Sequence, residues 1–146
     1  MAGATIAVAS DHAGFDLKEI LKRDLQEAGL EVLDLGTHSS QSVDYPDFGV
    51  AMADAIASGK VERGVLVCGT GIGISIAANR NPKVRAALAH DVTSARLARE
   101  HNDANVVAFG QRLIDAETAR EAPKVFLATE FEGGRHAGCV AKLTKD

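Results

Sequence analysis

Five short apolar runs, each alternating with an amphipathic helical stripe, constrain this chain more than any other feature. Residues 5–9 (TIAVA), 30–35 (LEVLDL), 64–68 (GVLVC), 86–89 (AALA) and 106–109 (VVAF) have the length and apolar character of buried strands. Between the first two, Leu17, Ile20, Leu21, Leu25 and Ala28 recur at helical spacing, and Gly29 stops the helix. Phe48, Ala51, Met52, Ala55 and Ile56 form a second stripe closed by Gly59, and residues 74–78 and 92–100 supply two more helices. A last helical region begins near Asp115, where Pro123 is expected to kink or restart it. Strands that alternate with helices in this way form a parallel sheet covered on both faces, and right-handed crossovers leave few topologies. The expected fold is one doubly wound, Rossmann-like α/β domain, with a five-stranded parallel sheet, over residues 1–146.

Composition narrows the function classes. A length of 146 residues matches a single domain of roughly 150. Sixteen Lys and Arg against twenty Asp and Glu leave a formal charge of −4, which disfavours a nucleic-acid module and makes any cationic site local. Two cysteines cannot staple a secreted fold, and no Cys-x-x-Cys pair, His-Glu-x-x-His pattern or Cys/His cluster suggests a metal. His38 and His90 have no second ligand at metal spacing. No apolar run approaches the ~20 residues of a membrane span. The start, Met1-Ala2-Gly3-Ala4, lacks the basic and apolar regions of a signal peptide. The expectation is a cytoplasmic protein with reduced thiols, no cofactor, and neither nucleic acid nor membrane as partner.

Ligands in doubly wound folds bind beyond the carboxyl ends of the strands, so the chemistry belongs in the loops there. The strongest local signal is Cys68-Gly69-Thr70-Gly71-Ile72-Gly73, with a cysteine closing a strand and three glycines opening a helix. Glycines admit a ligand to the backbone, and free N–H groups at a helix start favour an anion. The spacing fits no common nucleotide cradle: Ile74 and Ile76 stand where a dinucleotide fingerprint needs glycine, and no Gly-Lys-Ser/Thr follows. Cysteine is often just a small apolar strand residue, but at this place its thiolate is favoured. Thr70 reads equally as a turn residue or a hydroxyl relay. His101 reads as a cap or, among the polar residues 101–105, as a functional group. Asp11 and His12 stand after the first strand, although an Asp-x-x-Gly turn accounts for the aspartate. Gly133-Gly134-Arg135-His136 reads as a flexible basic tip or a plain exposed loop. Lys18, Lys22 and Arg23 read as a solvated helix face.

Six segments, in order, are 10–14 (SDHAG), 44–47 (DYPD), 68–73 (CGTGIG), 101–103 (HND), 109–112 (FGQR) and 132–136 (EGGRH). Together they resemble ribose-5-phosphate isomerase type B over essentially the whole chain. The wider family includes galactose-6-phosphate and allose-6-phosphate isomerases. The resemblance implies a metal-free aldose–ketose isomerase of the pentose phosphate pathway, acting on a sugar phosphate. It also implies a homodimer or dimer of dimers with sites shared between subunits. It makes Cys68 the base that moves a proton between C1 and C2, His101 the acid that opens the furanose, and Thr70 an aid to proton movement at the oxygens. Amides of Gly69, Gly71, Ile72 and Gly73 would hold the enediolate, as backbone donors can. Asp11, Tyr45 and Asn102 would contact the sugar, and His12, Arg112 and Arg135 the phosphate end. Cys68 places the chain in the cysteine-base branch. The chain departs from the pattern at Cys139, where a second arginine is common. Another four- to six-carbon aldose phosphate is therefore an alternative substrate. A non-catalytic regulatory domain that binds a sugar phosphate or nucleotide on the same glycine loop is the alternative outside enzymology.

Overall fold

All five apolar runs become strands in the computed structural model, which describes residues 4–144. They are β1 (Thr5–Ser10), β2 (Glu31–Asp34), β3 (Arg63–Cys68), β4 (Ala86–Leu88) and β5 (Val106–Gly110). They form one parallel sheet in the order β2-β1-β3-β5-β4. Strand β3, apolar from Gly64 to Cys68, lies at its centre, as that composition requires. The expectation placed on Met1, Ala2 and Gly3 falls outside the described residues. Among the described residues, no helix is long and apolar enough to cross a membrane.

Alternation along the strands divides the core in two. Val65 and Val67 face one side, where they meet Leu17 and Leu21 of α1 (Phe15–Glu27), Ala95 of α4 (Val92–Asn102) and Phe126 of α5 (Ala116–Ala128). Leu66 and Cys68 face the other, against Met52 of α2 (Tyr45–Ala57) and Ile74 of α3 (Ile72–Ala78). Cys68 thus ends a strand on the side where α3 begins.

Three sequence expectations need correction. Helix α5 does not restart at Pro123; it runs unbroken, with Ala119, Ala122, Pro123, Phe126 and Leu127 buried along one stripe. Burial of that stripe offsets the hydrogen bond a proline removes. Lys18 and Lys22 are not a solvated face: Lys18 is fully buried and both ammonium groups reach Asp34, at 2.7 and 3.1 Å. Arg23 alone of the three is exposed. The 133–136 segment is not merely a loop, because His136 begins α6 (His136–Leu143).

Candidate active site

The sheet order places a topological switch between β1 and β3, since the chain leaves β1 for β2 on one side and returns to β3 on the other. Crevices at such points collect the loops of both strands. Here Asp11 and His12 follow β1, Cys68, Gly69 and Thr70 follow β3, and Arg112 follows β5. All six line one cavity of about 510 Å3, with Tyr45, Ile72 and Gly73.

Each of these side chains is fixed locally. Asp11 is buried, and its Oδ1 accepts from the Gly14 N–H at 3.0 Å, capping a 3-10 turn. The aspartate is thus both the turn residue and a wall of the cavity. His12 Nδ1 accepts from the Val43 N–H at 3.1 Å, which leaves Nε2 to carry the proton of the neutral ring. Cys68 Sγ accepts from the Gly71 N–H at 3.1 Å, so an amide donor faces the sulfur. Thr70 Oγ1 accepts from the Ile72 N–H at 3.2 Å. The loop turns this tightly because Gly71 adopts φ 78°, a left-handed conformation glycine takes without steric cost. A Cβ at Gly73 would run into the Tyr45 ring. Gln111 and Arg112 donate backbone N–H groups to the carbonyls of Cys68 and Gly69, at 2.9 and 3.0 Å, tying the β5 exit to the glycine loop. Gln111 Oε1 also accepts from Leu17 N–H at 2.9 Å, linking that exit to α1.

Three expected site residues lie elsewhere. His101 and Asn102 end α4, which feeds the amino end of β5, and Arg135 precedes α6. In the β3–β5 pairing Gly64 faces Val106 and Cys68 faces Gly110, so the strand length of four residues separates the two ends. At about 3.3 Å per residue that is ~13 Å, before the further step back from Val106 to His101. One chain therefore cannot bring His101 to Cys68. His101 instead stacks on His136, with ring centroids 4.3 Å apart and planes at 15°. His136 Nε2 in turn lies 3.5 Å from Glu132 Oε1. Sequence reasoning gave no site role to Glu132 or His136. Their spacing of four residues was legible, but its meeting with His101 is not.

The profile of the family described as Ribose/Galactose Isomerase matches residues 6–143. Ribose-5-phosphate isomerase B of Escherichia coli is 46% identical over 139 residues, covering 95% of this chain and 93% of that protein. D-erythrulose-4-phosphate isomerase of Pectobacterium atrosepticum is 44% identical over 140 residues, covering 95% and 92%. The crystal structure of a ribose 5-phosphate isomerase from Thermotoga maritima superposes with a TM-score of 0.94 at 49% identity, covering 97% of each chain. The cavity, the cysteine-ended strand and the glycine loop are thus set in a chain that matches over nearly its whole length. The chain belongs to the Ribose/Galactose Isomerase family and is an isomerase of its ribose-5-phosphate isomerase B type.

Proposed function

We propose that the protein interconverts ribose 5-phosphate and ribulose 5-phosphate in the cytoplasm, as a step of the pentose phosphate pathway, without a metal cofactor. The observation that carries this reading is Cys68 in the switch-point cavity, with the Gly71 amide facing its sulfur at 3.1 Å. In the aldose-to-ketose direction the Cys68 thiolate takes the proton from C2. The C2–H electron pair becomes the C1–C2 double bond of the enediolate, and charge moves onto the C1 oxygen. The same thiol returns its proton to C1 while the O2 proton leaves, giving the C2 carbonyl. Amides of the 69–73 loop are the donors to the developing oxyanion, a role worth several kcal/mol in preorganised sites. Thr70 shuttles the proton between the two oxygens. Asp11 and Tyr45 position the sugar, and His12 Nε2 and Arg112 meet its polar groups.

Ring opening falls to His101, which enters the cavity from a second copy of the chain together with Asn102 and Arg135. Support comes from the sheet itself, which holds His101 and Cys68 at opposite ends of one molecule. The assembly is accordingly a homodimer, alone or paired into a dimer of dimers. A second substrate reading, another four- to six-carbon aldose phosphate, draws on Cys139 in place of a phosphate-end arginine and on the erythrulose-phosphate relative.

A coupled assay across four-, five- and six-carbon aldose phosphates tests both readings. Turnover fastest on ribose 5-phosphate and unchanged by a chelator supports the first; a different best sugar selects the second. Loss of activity with chelator would overturn the metal-free mechanism. Cys68→Ala is expected to bind substrate but to lose all exchange of solvent deuterium into the sugar, including from open-chain ribulose 5-phosphate.

A further inference from the structure

His101, Glu132 and His136 each present one donor atom, and the three atoms lie within 4.8 Å of one another. The local frame that holds them is firm. Buried Arg99, in the last turn of α4, donates from Nε to the Thr129 carbonyl at 3.1 Å and from Nη1 to the Ala104 carbonyl at 2.7 Å. The Glu132 N–H donates to the Glu100 carbonyl at 3.0 Å, so the chain after α5 is pinned to the end of α4. Gly133 and Gly134, at φ 69° and 56°, then turn the backbone so that α6 starts at His136. His136 Nε2 is buried without a hydrogen-bond partner, 3.5 Å from the Glu132 carboxylate. A ring nitrogen desolvated and left unpartnered beside a carboxylate and a second imidazole is a donor set directed at a cation.

We propose that His101, Glu132 and His136 form a binding site for a divalent transition cation of the zinc class, and that occupation inhibits the enzyme by capturing His101. Two imidazoles and one carboxylate suit zinc, whereas magnesium and calcium prefer oxygen donors throughout. Zinc holds such ligands at about 2.0–2.1 Å, which puts tetrahedral donors roughly 3.4 Å apart. The cluster therefore closes by at most about 1.4 Å on binding, within the reach of side-chain rotation. A metal lies in the plane of each imidazole that binds it, and two rings stacked at 15° cannot share one. Binding must break the stack and swing one ring, and whichever ring moves, coordination takes the His101 nitrogen out of proton transfer. The site is thus inhibitory and reversible, not a resident cofactor. Its inhibitory half rests on the proposed role of His101; its binding half does not.

The test is titration of the full-length, metal-stripped protein with Co2+, followed by visible absorption, and with Zn2+ by calorimetry. One cation per chain is expected, with affinity falling at least about tenfold in Glu132→Gln and in His136→Ala. Retained affinity in both variants, or loss only in Cys68→Ala or Cys139→Ser, would overturn the site. Micromolar Zn2+ is expected to inhibit turnover, reversibly with chelator, in the parent and not in Glu132→Gln. Binding through these side chains with turnover untouched would overturn the inhibitory half. Kinetics of His101→Asn in metal-free buffer assess the acid role separately, so the two failures can be told apart.

Discussion

Arg135 and Cys139 sit one helical turn apart at the start of α6, both exposed. With Arg135 at the phosphate end, as proposed, an arginine at 139 would project beside it as a second forked donor. On that proposal, cysteine at 139 forgoes a charge-assisted contact worth about 1.5–3 kcal/mol, or one to two orders of magnitude in affinity at ~1.4 kcal/mol per tenfold. Cys139→Arg is therefore expected to lower KM for ribose 5-phosphate with a smaller change in kcat, and Arg135→Ala to raise KM sharply, since no neighbouring arginine backs it up. Steady-state kinetics decide the point: an inert Cys139→Arg together with an unchanged Arg135→Ala would remove this segment from the phosphate end. His101 calls for a different contrast. An acid that opens the furanose matters most for cyclic ribose 5-phosphate, because ribulose 5-phosphate cannot close the same ring. His101→Asn is expected to slow the aldose-to-ketose direction more than the reverse. Equal losses, with product ring closure measured separately, would give His101 another role.

Between elements, the joint that departs furthest from the sequence reading is the one between α1 and β2. Asp34 ends β2 and receives Lys18 Nζ on both oxygens, at 2.7 and 2.8 Å, Lys22 at 3.1 Å, and the Gly36 N–H at 3.0 Å. Burial pushes its carboxyl up, but the hydrogen bonds from Lys18, Gly36 and Lys22 outweigh burial and hold it below the ordinary carboxylate value. A carboxyl depressed in the folded state stabilises the fold above its unfolded value, near 3.9, and loses that contribution as pH falls through the folded one. Asp34→Ala leaves the buried Lys18 ammonium with only Glu19, and is expected to cost about 3 kcal/mol at neutral pH. Denaturation followed against pH should show that cost constant above about pH 4 and shrinking below it. A pH-independent difference would mean that lost packing, not charge, sets the penalty. No local pattern announces this cluster. A lysine on a helix face reads the same whether it points to water or turns inward to an aspartate sixteen residues later. Strands β1, β3, β4 and β5 were legible because their apolar runs are nearly uninterrupted, whereas β2 carries Glu31 and Asp34, and β3 was legible as central because both of its faces are apolar. The cavity was legible for a related reason: Asp11, Cys68 and Arg112 each follow a recognisable strand, and the switch-point rule gathers such loops. Helix α6 was hidden by the two glycines before it, which signal a loop and serve here as the turn into a helix. The Glu132–His136–His101 cluster was hidden because two of its members are separated by a whole helix.

At the scale of the molecule, the direction of the sheet settles what one chain can do alone. Parallel strands put every carboxyl end at one edge, so the loops after β1, β3 and β5 share a cavity while the end of α4 is left at the other edge. A chain of 146 residues buries its own core, so a second copy is not needed to make the fold. In the proposed mechanism it is needed to bring acid and base together. An isologous two-fold pairing would do this twice, each cavity taking Cys68 from one chain and His101 from its partner. The arrangement has a numerical signature. Cys68→Ala and His101→Asn homodimers are each deficient at every site. After subunits exchange in an equal mixture, half the dimers are mixed, and each has one cavity lacking both groups and one with both intact. Activity on cyclic ribose 5-phosphate is expected to return to roughly a quarter of the parent's per chain. The same fraction holds for a dimer of dimers if the cavity spans only one kind of interface. Exchange is verified independently by tagging one variant and isolating the mixed species. Mixed dimers that remain inactive would place acid and base within one chain, which the strand register opposes, or would remove His101 from the reaction.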